Sequence, residues 1–226
     1  MKTIIFLIII FYSYTVSAFP IPKNNKASFD IIRKNKIIGN IETTFKKIED
    51  NLLVETVLDI NIKILFIPAY KFHQTSTETW LKNELIEFDG YTDFEDEREY
   101  YIKGKVTDNN FILSGMDGEI ITDKNIITLN YWNKNIINQN KILDTQKGII
   151  REIKVKKIKD EILIINNKKI NTEKYILNAS SHPKDKGPFP EYTLWYSKNN
   201  ELIKFKFLNW KDGKEIITQR NDIGDK

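Results

Sequence analysis

The feature that most constrains this chain is an alternation of apolar and polar residues between Leu52 and Ile64. The apolar residues of one parity are Leu52, Val54, Leu58, Ile60, Ile62 and Ile64, and the polar residues of the other are Glu55, Asp59, Asn61 and Lys63. Successive side chains of a β-strand point to opposite faces, whereas a helix repeats every 3.6 residues or so. The pattern therefore excludes a helix here and predicts a strand with one face on an apolar core.

The same period of two recurs in short segments from Ser28 to Thr218, separated by Asn, Asp and Gly. Asp117-Gly118 and Asp212-Gly213 predict hairpins with type I′ turns, which need positive φ at both central positions. We therefore expect an all-β fold, a single strongly curved antiparallel sheet in the form of a half-barrel or open barrel, because curvature shields the edge strands. One β domain is expected over residues 27–220, followed by a tail at 221–226.

The alternation lapses between Asn125 and Gly148. Within this stretch, Asn133 to Lys141 is compatible with a short helix or an ordered loop. Because strands flank the stretch on both sides, we expect this one irregular or short-helical segment to cross the concave apolar face of the sheet.

The N-terminus has the three parts of a signal peptide. Met1-Lys2-Thr3 carries one positive charge, an apolar run follows from Ile4 to Phe11, and Val16-Ser17-Ala18 supplies small residues for a peptidase. This order predicts a signal peptide over residues 1–18, cleaved between Ala18 and Phe19. The alternative, an uncleaved anchor, would need about 20 apolar residues, and polar residues interrupt this run earlier.

Export sets the expected compartment as the bacterial periplasm or the medium. Residues 19–26, with Pro20 and Pro22, are expected to form a flexible lead-in. No later apolar segment approaches membrane-spanning length, so we expect no transmembrane segment after removal of the signal peptide.

Composition excludes several classes of function. The chain has no cysteine, which excludes disulfides, thiolate catalysis, cysteine zinc sites and lipid attachment at a signal junction. Lys and Arg number 35 against 31 Asp and Glu, and the excess is spread along the chain. Such a balance does not favour a nucleic-acid partner.

Candidate catalytic groups are few. The chain has two histidines, His73 and His182, and their spacing suggests no metal site. It has no nucleophile elbow, phosphate loop or dinucleotide fingerprint. The acidic residues Asp93, Glu95, Asp96, Glu97 and Glu99 suit either a hard cation or, more simply, a solvated loop. We expect no catalytic residue, metal or cofactor.

The most specific local feature is a pair of polar and aromatic clusters in the irregular segment, Tyr131-Trp132-Asn133 and Asp144-Thr145-Gln146. In one interpretation Trp132 covers the open side of the sheet and the polar groups bond the crossing backbone. In the other, the clusters border a ligand pocket. Trp195 and Tyr196 face opposite sides of one strand, so only one enters the interior. The candidate ligand-binding residues are Tyr131, Trp132, Asn133, Asp144, Gln146 and Trp195.

These landmarks resemble the secreted bacterial family catalogued as domain of unknown function 6134. The matching stretches are Phe29-Asp30-Ile31 through Ile38-Gly39, Tyr131-Trp132-Asn133, Leu143-Asp144-Thr145-Gln146-Lys147-Gly148, Leu194-Trp195-Tyr196 and Ile203 to Phe207. The resemblance covers nearly the whole chain after residue 18. It implies an exported β protein and specifies no reaction. A more distant likeness is to the curved half-barrels of envelope lipid carriers.

The sequence thus favours a non-catalytic envelope protein that binds an apolar or amphiphilic small molecule. One alternative is a structural or assembly scaffold with unidentified protein partners, and another is a hydrolase of envelope material that uses the acidic loop or Asp144. A carrier needs an open apolar cavity, a scaffold an exposed apolar patch, and an enzyme converging titratable groups with shifted pKa values.

Overall fold

The computed structural model describes residues 19–64, 67–94 and 98–223. The predicted signal peptide, the acidic residues 95–97 and residues 224–226 lie outside the described residues. In the described ranges, fourteen strands and one 3₁₀ helix form. They are β1 Lys26–Arg33, β2 Lys36–Ile48, β3 Asn51–Ile64, β4 Ile67–Leu81, β5 Glu84–Asp93, β6 Glu99–Thr107, β7 Asn110–Gly115, β8 Gly118–Asp123, the 3₁₀ helix Lys134–Asn138, β9 Lys141–Asp144, β10 Ile149–Ile165, β11 Lys168–Ala179, β12 Tyr192–Ser197, β13 Leu202–Leu208 and β14 Glu215–Arg220.

All fourteen strands belong to one antiparallel sheet that is not closed into a barrel, as predicted. The order is β8-β7-β6-β5-β4-β3-β2-β1-β14-β13-β12-β11-β10-β9. The first and last strands of the chain, β1 and β14, pair in the middle of this order, with Phe29 opposite Arg220. The two edges, β8 and β9, are therefore consecutive in the chain, and the connection between them must pass from one edge to the other.

Antiparallel pairing sends alternate turns to opposite ends of the sheet. We call rim 1 the end that carries the turns at 34–35, 116–117, 145–148 and 209–214, and rim 2 the end with the turns at 49–50, 82–83, 108–109, 166–167 and 198–201. At rim 1 the two edges touch, because the Met116 N–H donates to the Lys147 carbonyl at 2.8 Å.

The turns differ in detail from the predicted type I′ geometry. Neither Asp117 nor Asp212 has positive φ, whereas Gly118 and Gly213 have φ of 83° and 64°. Gly115 pairs with Gly118, so Met116-Asp117 forms the turn and Gly118 follows in the left-handed region. Both hairpins form, but the prediction of type I′ turns there was wrong. Two consecutive residues with positive φ, as a type I′ turn requires, occur instead in three other turns, at Lys34-Asn35, Lys82-Asn83 and Asn166-Asn167.

The core lies between the concave face and the segment from Asn125 to Gly148, which we call the crossing segment. The crossing segment contributes the buried residues Ile126, Ile127, Leu129, Tyr131, Trp132, Ile136, Ile142 and Leu143. Its short helix is the 3₁₀ turn Lys134–Asn138, where the sequence predicts a short helix or an ordered loop. A sheet of this curvature needs such a filling because its concave side would otherwise expose apolar residues to water.

The lead-in at residues 19–26, expected to be flexible, packs against the core. The Phe19 ring lies 5.4 Å from the rings of both Trp80 and Trp132. Pro22 is buried, and the Phe45 N–H donates to the Asn25 carbonyl at 2.9 Å. The first residue after the predicted cleavage point is therefore half-buried against the core.

Candidate functional site

The crossing segment is bonded to itself before it meets the sheet. The Leu129 N–H donates to the Leu143 carbonyl at 2.9 Å, and the Leu143 N–H donates to the Ile127 carbonyl at 2.8 Å. These bonds form a parallel bridge along the outer edge of β9. The edge strand is thereby covered by the chain that precedes it.

Trp132 stands at the centre of an aromatic cluster in the concave face. Its ring centroid lies 5.4 Å from that of Phe19, 5.5 Å from that of Phe45 and 5.5 Å from that of Trp80. The edge-on and tilted angles of these contacts are those that aromatic rings favour. Trp132 is 5% exposed, which is the environment of a core residue.

A fully buried carboxylate, Glu78 on β4, lies beneath this cluster. Its Oε2 accepts from Trp80 Nε1 at 2.7 Å and from Trp132 Nε1 at 3.1 Å. Its Oε1 accepts from Thr128 Oγ1 at 3.0 Å and from Asn130 Nδ2. All four donors are neutral. Burial raises the pKa of Glu78, and the four hydrogen bonds oppose that shift.

Further polar side chains follow Glu78 on the same face of β4. Gln74 Nε2 donates to the Thr145 carbonyl and to its Oγ1, both at 3.1 Å. Asn130 Nδ2 also donates to Ser76 Oγ at 3.2 Å, and Thr145 Oγ1 donates to Asn130 Oδ1 at 2.9 Å. The centre of the concave face is therefore occupied by the protein's own side chains.

A second buried charge network fixes the end of the crossing segment. Arg151 Nε donates to Asp144 Oδ2 at 2.7 Å, and the Arg151 Nη atoms donate to both Asp185 oxygens at 3.0 Å. Lys147 also pairs with Asp185. Although burial opposes the shift, hydrogen bonds from Arg151, Lys147 and the His182 N–H lower the pKa of Asp185 below its usual range. We call these four residues, Asp144, Lys147, Arg151 and Asp185, the Arg151 clamp.

Two of the predicted site residues, Tyr131 and Asn133, have structural contacts. Tyr131 has a φ of 60°, and its ring lies 5.2 Å from Tyr192 and 4.9 Å from Phe205. Burial raises the pKa of Tyr131 well above its ordinary value. Asn133 caps the 3₁₀ helix, and its Oδ1 accepts from the Asn135 N–H at 3.1 Å. With Trp132 they form one continuous buried corner of the crossing segment.

The other three predicted residues do not join them in one pocket. Asp144 belongs to the Arg151 clamp, and Gln146 lies half-buried in the turn after it. Trp195 lies on the convex face, where its Nε1 donates to Glu161 Oε2 at 3.1 Å, whereas Tyr196 enters the interior. The interior aromatic residue of β12 is therefore Tyr196, whereas the sequence led us to propose Trp195 as a ligand contact.

The candidate catalytic groups are separated as well. His73 Nδ1 lies 2.7 Å from Asp59 Oδ1, and His182 Nε2 lies 2.9 Å from Asp117 Oδ2, in different parts of the molecule. Among residues 19–64, 67–94 and 98–223, no group of three or more His, Asp or Glu could hold a metal ion. The central part of the predicted acidic run, residues 95–97, lies outside the described residues.

One apolar part of the concave face lies beyond the crossing segment. On β3, Leu58, Ile60 and Ile62 are half-buried, and Ile60 is directly opposite Phe72 on β4. This row is further towards rim 1 than the contact between Gln74 and Thr145. The Phe94 ring continues it, at 5.1 Å from that of Phe72 and 5.9 Å from that of Tyr100. We call Leu58, Ile60, Ile62, Phe72, Phe94 and Tyr100 the apolar strip.

A polar group borders the apolar strip. Thr92 lies in the row that joins Gln74 to Tyr100, and its buried Oγ1 has no hydrogen-bond partner among the described residues. A buried hydroxyl without a partner is uncommon in folded proteins. The strip thus combines the buried ring of Phe72 and half-buried apolar side chains with an adjacent buried hydroxyl that has no partner in the described part of the chain.

The sequence reasoning missed Glu78, Arg151 and Asp185. On β4, Gln74, Ser76 and Glu78 alternate with Thr75, Thr77 and Thr79, so that both faces are polar and neither is recognisable as the interior. The signal that could have revealed Glu78 is Trp80 two residues later, because a large aromatic of the same parity marks the buried face.

The comparisons with known proteins bear on the family and the fold. The family model described as Domain of unknown function (DUF6134) matches residues 29–221. No curated protein matches the chain. In the part of the chain that the structure describes, no helix has the length and apolar character to cross a membrane.

Two solved structures are similar to the chain. One is titled a β-barrel-like protein of domain of unknown function DUF1849 from Brucella abortus, with a TM-score of 0.58 and 11% identity over 86% of this chain and 94% of that one. The other is titled a putative lipoprotein from Parabacteroides distasonis, with a TM-score of 0.37 and 13% identity over 90% and 97%. The first structure supports the fold alone. The TM-score of the second is too low to support a conclusion about this chain.

Proposed function

The chain belongs to the family described as domain of unknown function DUF6134, and we propose that it is a non-catalytic binding module of the bacterial envelope for an apolar or amphiphilic ligand. The observation that carries the proposal is the apolar strip, in which Leu58, Ile60 and Ile62 of β3 are half-buried whereas Leu52 and Val54 on the same face are buried. The predicted residues Tyr131, Trp132 and Asn133 then anchor the crossing segment on the same concave face.

The arrangement of the buried acids favours binding over catalysis. Glu78 has all its acceptor positions directed at donors of the protein, and Asp144 is held by Arg151. A general acid or base must be within hydrogen-bond reach of a substrate atom. Neither carboxylate meets that requirement in this arrangement, which argues against a hydrolase that uses Asp144.

The ligand chemistry follows from the composition of the strip. Aliphatic and aromatic side chains line it, so an alkyl or acyl chain would replace water favourably there. The half-buried amide of Gln146, on the turn that holds Thr145, suits a polar head at one end of such a chain.

Export remains part of the proposal. Removal of residues 1–18 would leave Phe19 as the first residue, and Phe19 packs on Trp80 and Trp132. We expect N-terminal sequencing of the exported protein to begin at Phe19. Recovery of an intact Met1 in a membrane fraction would contradict cleavage.

The binding proposal is tested with 11-(dansylamino)undecanoic acid, an acyl chain with a fluorescent head. We expect saturable binding, and on the order of tenfold weaker affinity when Ile60→Ser and Ile62→Ser remove apolar contact area. The matched control is Ile162→Ser with Ile164→Ser, two residues that are 60% and 67% exposed on β10. Absence of binding to the wild type, or equal loss in the control, would overturn the proposal.

A further inference from the structure

The convex face carries a second apolar region, at rim 1 near the middle of the sheet order. Ile37 on β2, Ile32 on β1 and Ile217 on β14 lie directly opposite one another and therefore share one face. Ile37 is 66% exposed, and Leu208 at the end of β13 is 56% exposed. Ile32 and Ile217 are half-buried, so the four residues form a partly exposed apolar row, and Leu208 directly precedes the turn at 209–214.

Trp210 projects from that turn and is held in place. A Cβ built on Gly187 would lie 2.5 Å from Trp210 Cε2, so the indole rests on backbone that only glycine leaves open. Lys211 Nζ lies 5.6 Å from the ring centroid. Trp210 is nevertheless 53% exposed. A large aromatic that is fixed in orientation and half exposed is suited to contact something outside the protein.

Basic side chains surround this row. They are Arg33, Lys34, Lys36, Lys206, Lys211 and Lys214, and the acidic residues of the same two turns and strand ends are Asp212 and Glu215. Asp212 pairs with Arg33, and Glu215 pairs with Lys206. The four exposed lysines, at 34, 36, 211 and 214, thus leave the patch with a positive excess.

We propose that this patch, Ile32, Ile37, Leu208, Trp210 and Ile217 with the four surrounding lysines, docks the protein on an anionic lipid bilayer. Tryptophan favours the interface between lipid tails and water, and lysine favours an anionic surface. A symmetric contact with a second copy would place like charges against each other. Charge complementarity therefore favours the lipid surface as the occupant.

The tryptophans make the docking measurable. Trp80, Trp132 and Trp195 are 1%, 5% and 3% exposed, so Trp210 is the one of the four that a bilayer can reach. We expect the exported protein to co-sediment with vesicles of equal phosphatidylglycerol and phosphatidylcholine, and far less with phosphatidylcholine alone. Its emission should shift to shorter wavelength and be quenched by brominated acyl chains in the same vesicles.

Variants locate the contact. Trp210→Ala should weaken binding on the order of tenfold, whereas Tyr101→Ala, which removes a 69% exposed tyrosine elsewhere, should leave it unchanged. Lys211→Gln with Lys214→Gln should weaken it about fivefold per lysine, and Lys154→Gln with Lys156→Gln removes the same charge from β10 as the control.

Three results would overturn the proposal. One is a wild type that does not bind anionic vesicles, and another is equal binding by wild type and Trp210→Ala. The third is concentration-dependent self-association that Trp210→Ala abolishes in the absence of vesicle binding, which would assign the patch to a second copy. The dansyl measurement is separable from these outcomes, because Ile60→Ser with Ile62→Ser alters the apolar strip and none of the residues of this patch.

Discussion

The two buried networks stabilise their carboxyl groups with different kinds of hydrogen-bond donor. Glu78 accepts from four neutral donors, and no Lys or Arg is among its hydrogen-bond partners in the described residues. Asp185 instead accepts from Arg151 and Lys147. One network holds residues 128–132 of the crossing segment and the other holds residues 144–147. The same segment is thus fixed once by a polar core and once by ion pairs.

The difference shows why the pKa values move in opposite directions. Neutral donors only partly offset the loss of hydration when Glu78 is buried, so the pKa of Glu78 rises. Two cations offset it fully at Asp185, whose pKa falls. Apart from any loss of packing, removing one hydrogen-bond partner should therefore destabilise the clamp more than the Glu78 network, because a buried charge is then left without its cation. At Glu78 the loss in free energy of unfolding should depend on how many hydrogen-bond donors are left without an acceptor.

The largest expected effect is that of Trp132→Ala. It removes an aromatic ring with three ring neighbours and one donor to Glu78, and it should lower the free energy of unfolding by on the order of 5 kcal/mol. Trp132→Phe keeps the ring packing and should cost much less. Urea denaturation measures both variants. An unchanged midpoint in Trp132→Ala, combined with weaker dansyl-probe binding, would place Trp132 in the ligand site.

Arg151→Met comes next. It leaves Asp144 and Asp185 buried with one cation fewer, and we expect a loss of roughly 3–5 kcal/mol. Adding Asp144→Asn to that variant should recover part of the loss, since Asp144 is paired with Arg151 whereas Asp185 keeps Lys147. If the double variant were less stable than Arg151→Met alone, stranded charge would not be the cause of the loss.

Substitutions at Glu78 test the neutral network. Glu78→Leu strands four donors and should cost about 3 kcal/mol or more, since one unsatisfied buried group costs about 1–3 kcal/mol. Glu78→Gln should cost less, because its oxygen can keep both indole N–H groups and the Thr128 hydroxyl can rotate to accept from its amide, so that Asn130 Nδ2 alone loses its acceptor on residue 78 and keeps Ser76 Oγ. Equal losses for the two variants would show that hydrogen bonding does not account for the network.

The pH dependence should separate the networks with smaller effects. The raised pKa of Glu78 means that its contribution is complete below the unfolded pKa and is lost as pH rises through the folded pKa. The lowered pKa of Asp185 means that its contribution exists above the unfolded pKa and is lost as pH falls through the folded pKa. Urea midpoints should therefore be measured across the pH range for wild type and both variants. The difference in stability between wild type and Glu78→Gln should become smaller towards alkaline pH. The difference between wild type and Asp185→Asn should become smaller towards acidic pH. Parallel curves would contradict the assignment.

The sequence predicted the sheet well because period-two alternation is a local property. β3 carries it most clearly, and the break in pattern at Asn125 correctly marked the crossing segment. The order of strands was not predictable in the same way, since pairing of β1 with β14 joins residues from opposite ends of the chain. No local pattern encodes that pairing.

The candidate site was predicted only in part for a related reason. Tyr131, Trp132 and Asn133 are adjacent in sequence and remain together in space. Arg151 and Asp185 meet across a loop, and the sequence contains no sign of that contact. Trp195 was assigned to the site although alternation allows either face, and packing between Lys174 and Lys204 decides for the convex one.

Native-state hydrogen exchange at the amides of Leu129 and Leu143 tests most directly whether the crossing segment is part of the core. Both amides are bonded within the segment. If the two networks fix it as described, these amides should exchange only through global unfolding, with the same free energy and urea dependence as amides of β5. Exchange through a low-energy opening, while β5 stays protected, would make the segment a lid over the concave face and would contradict this account.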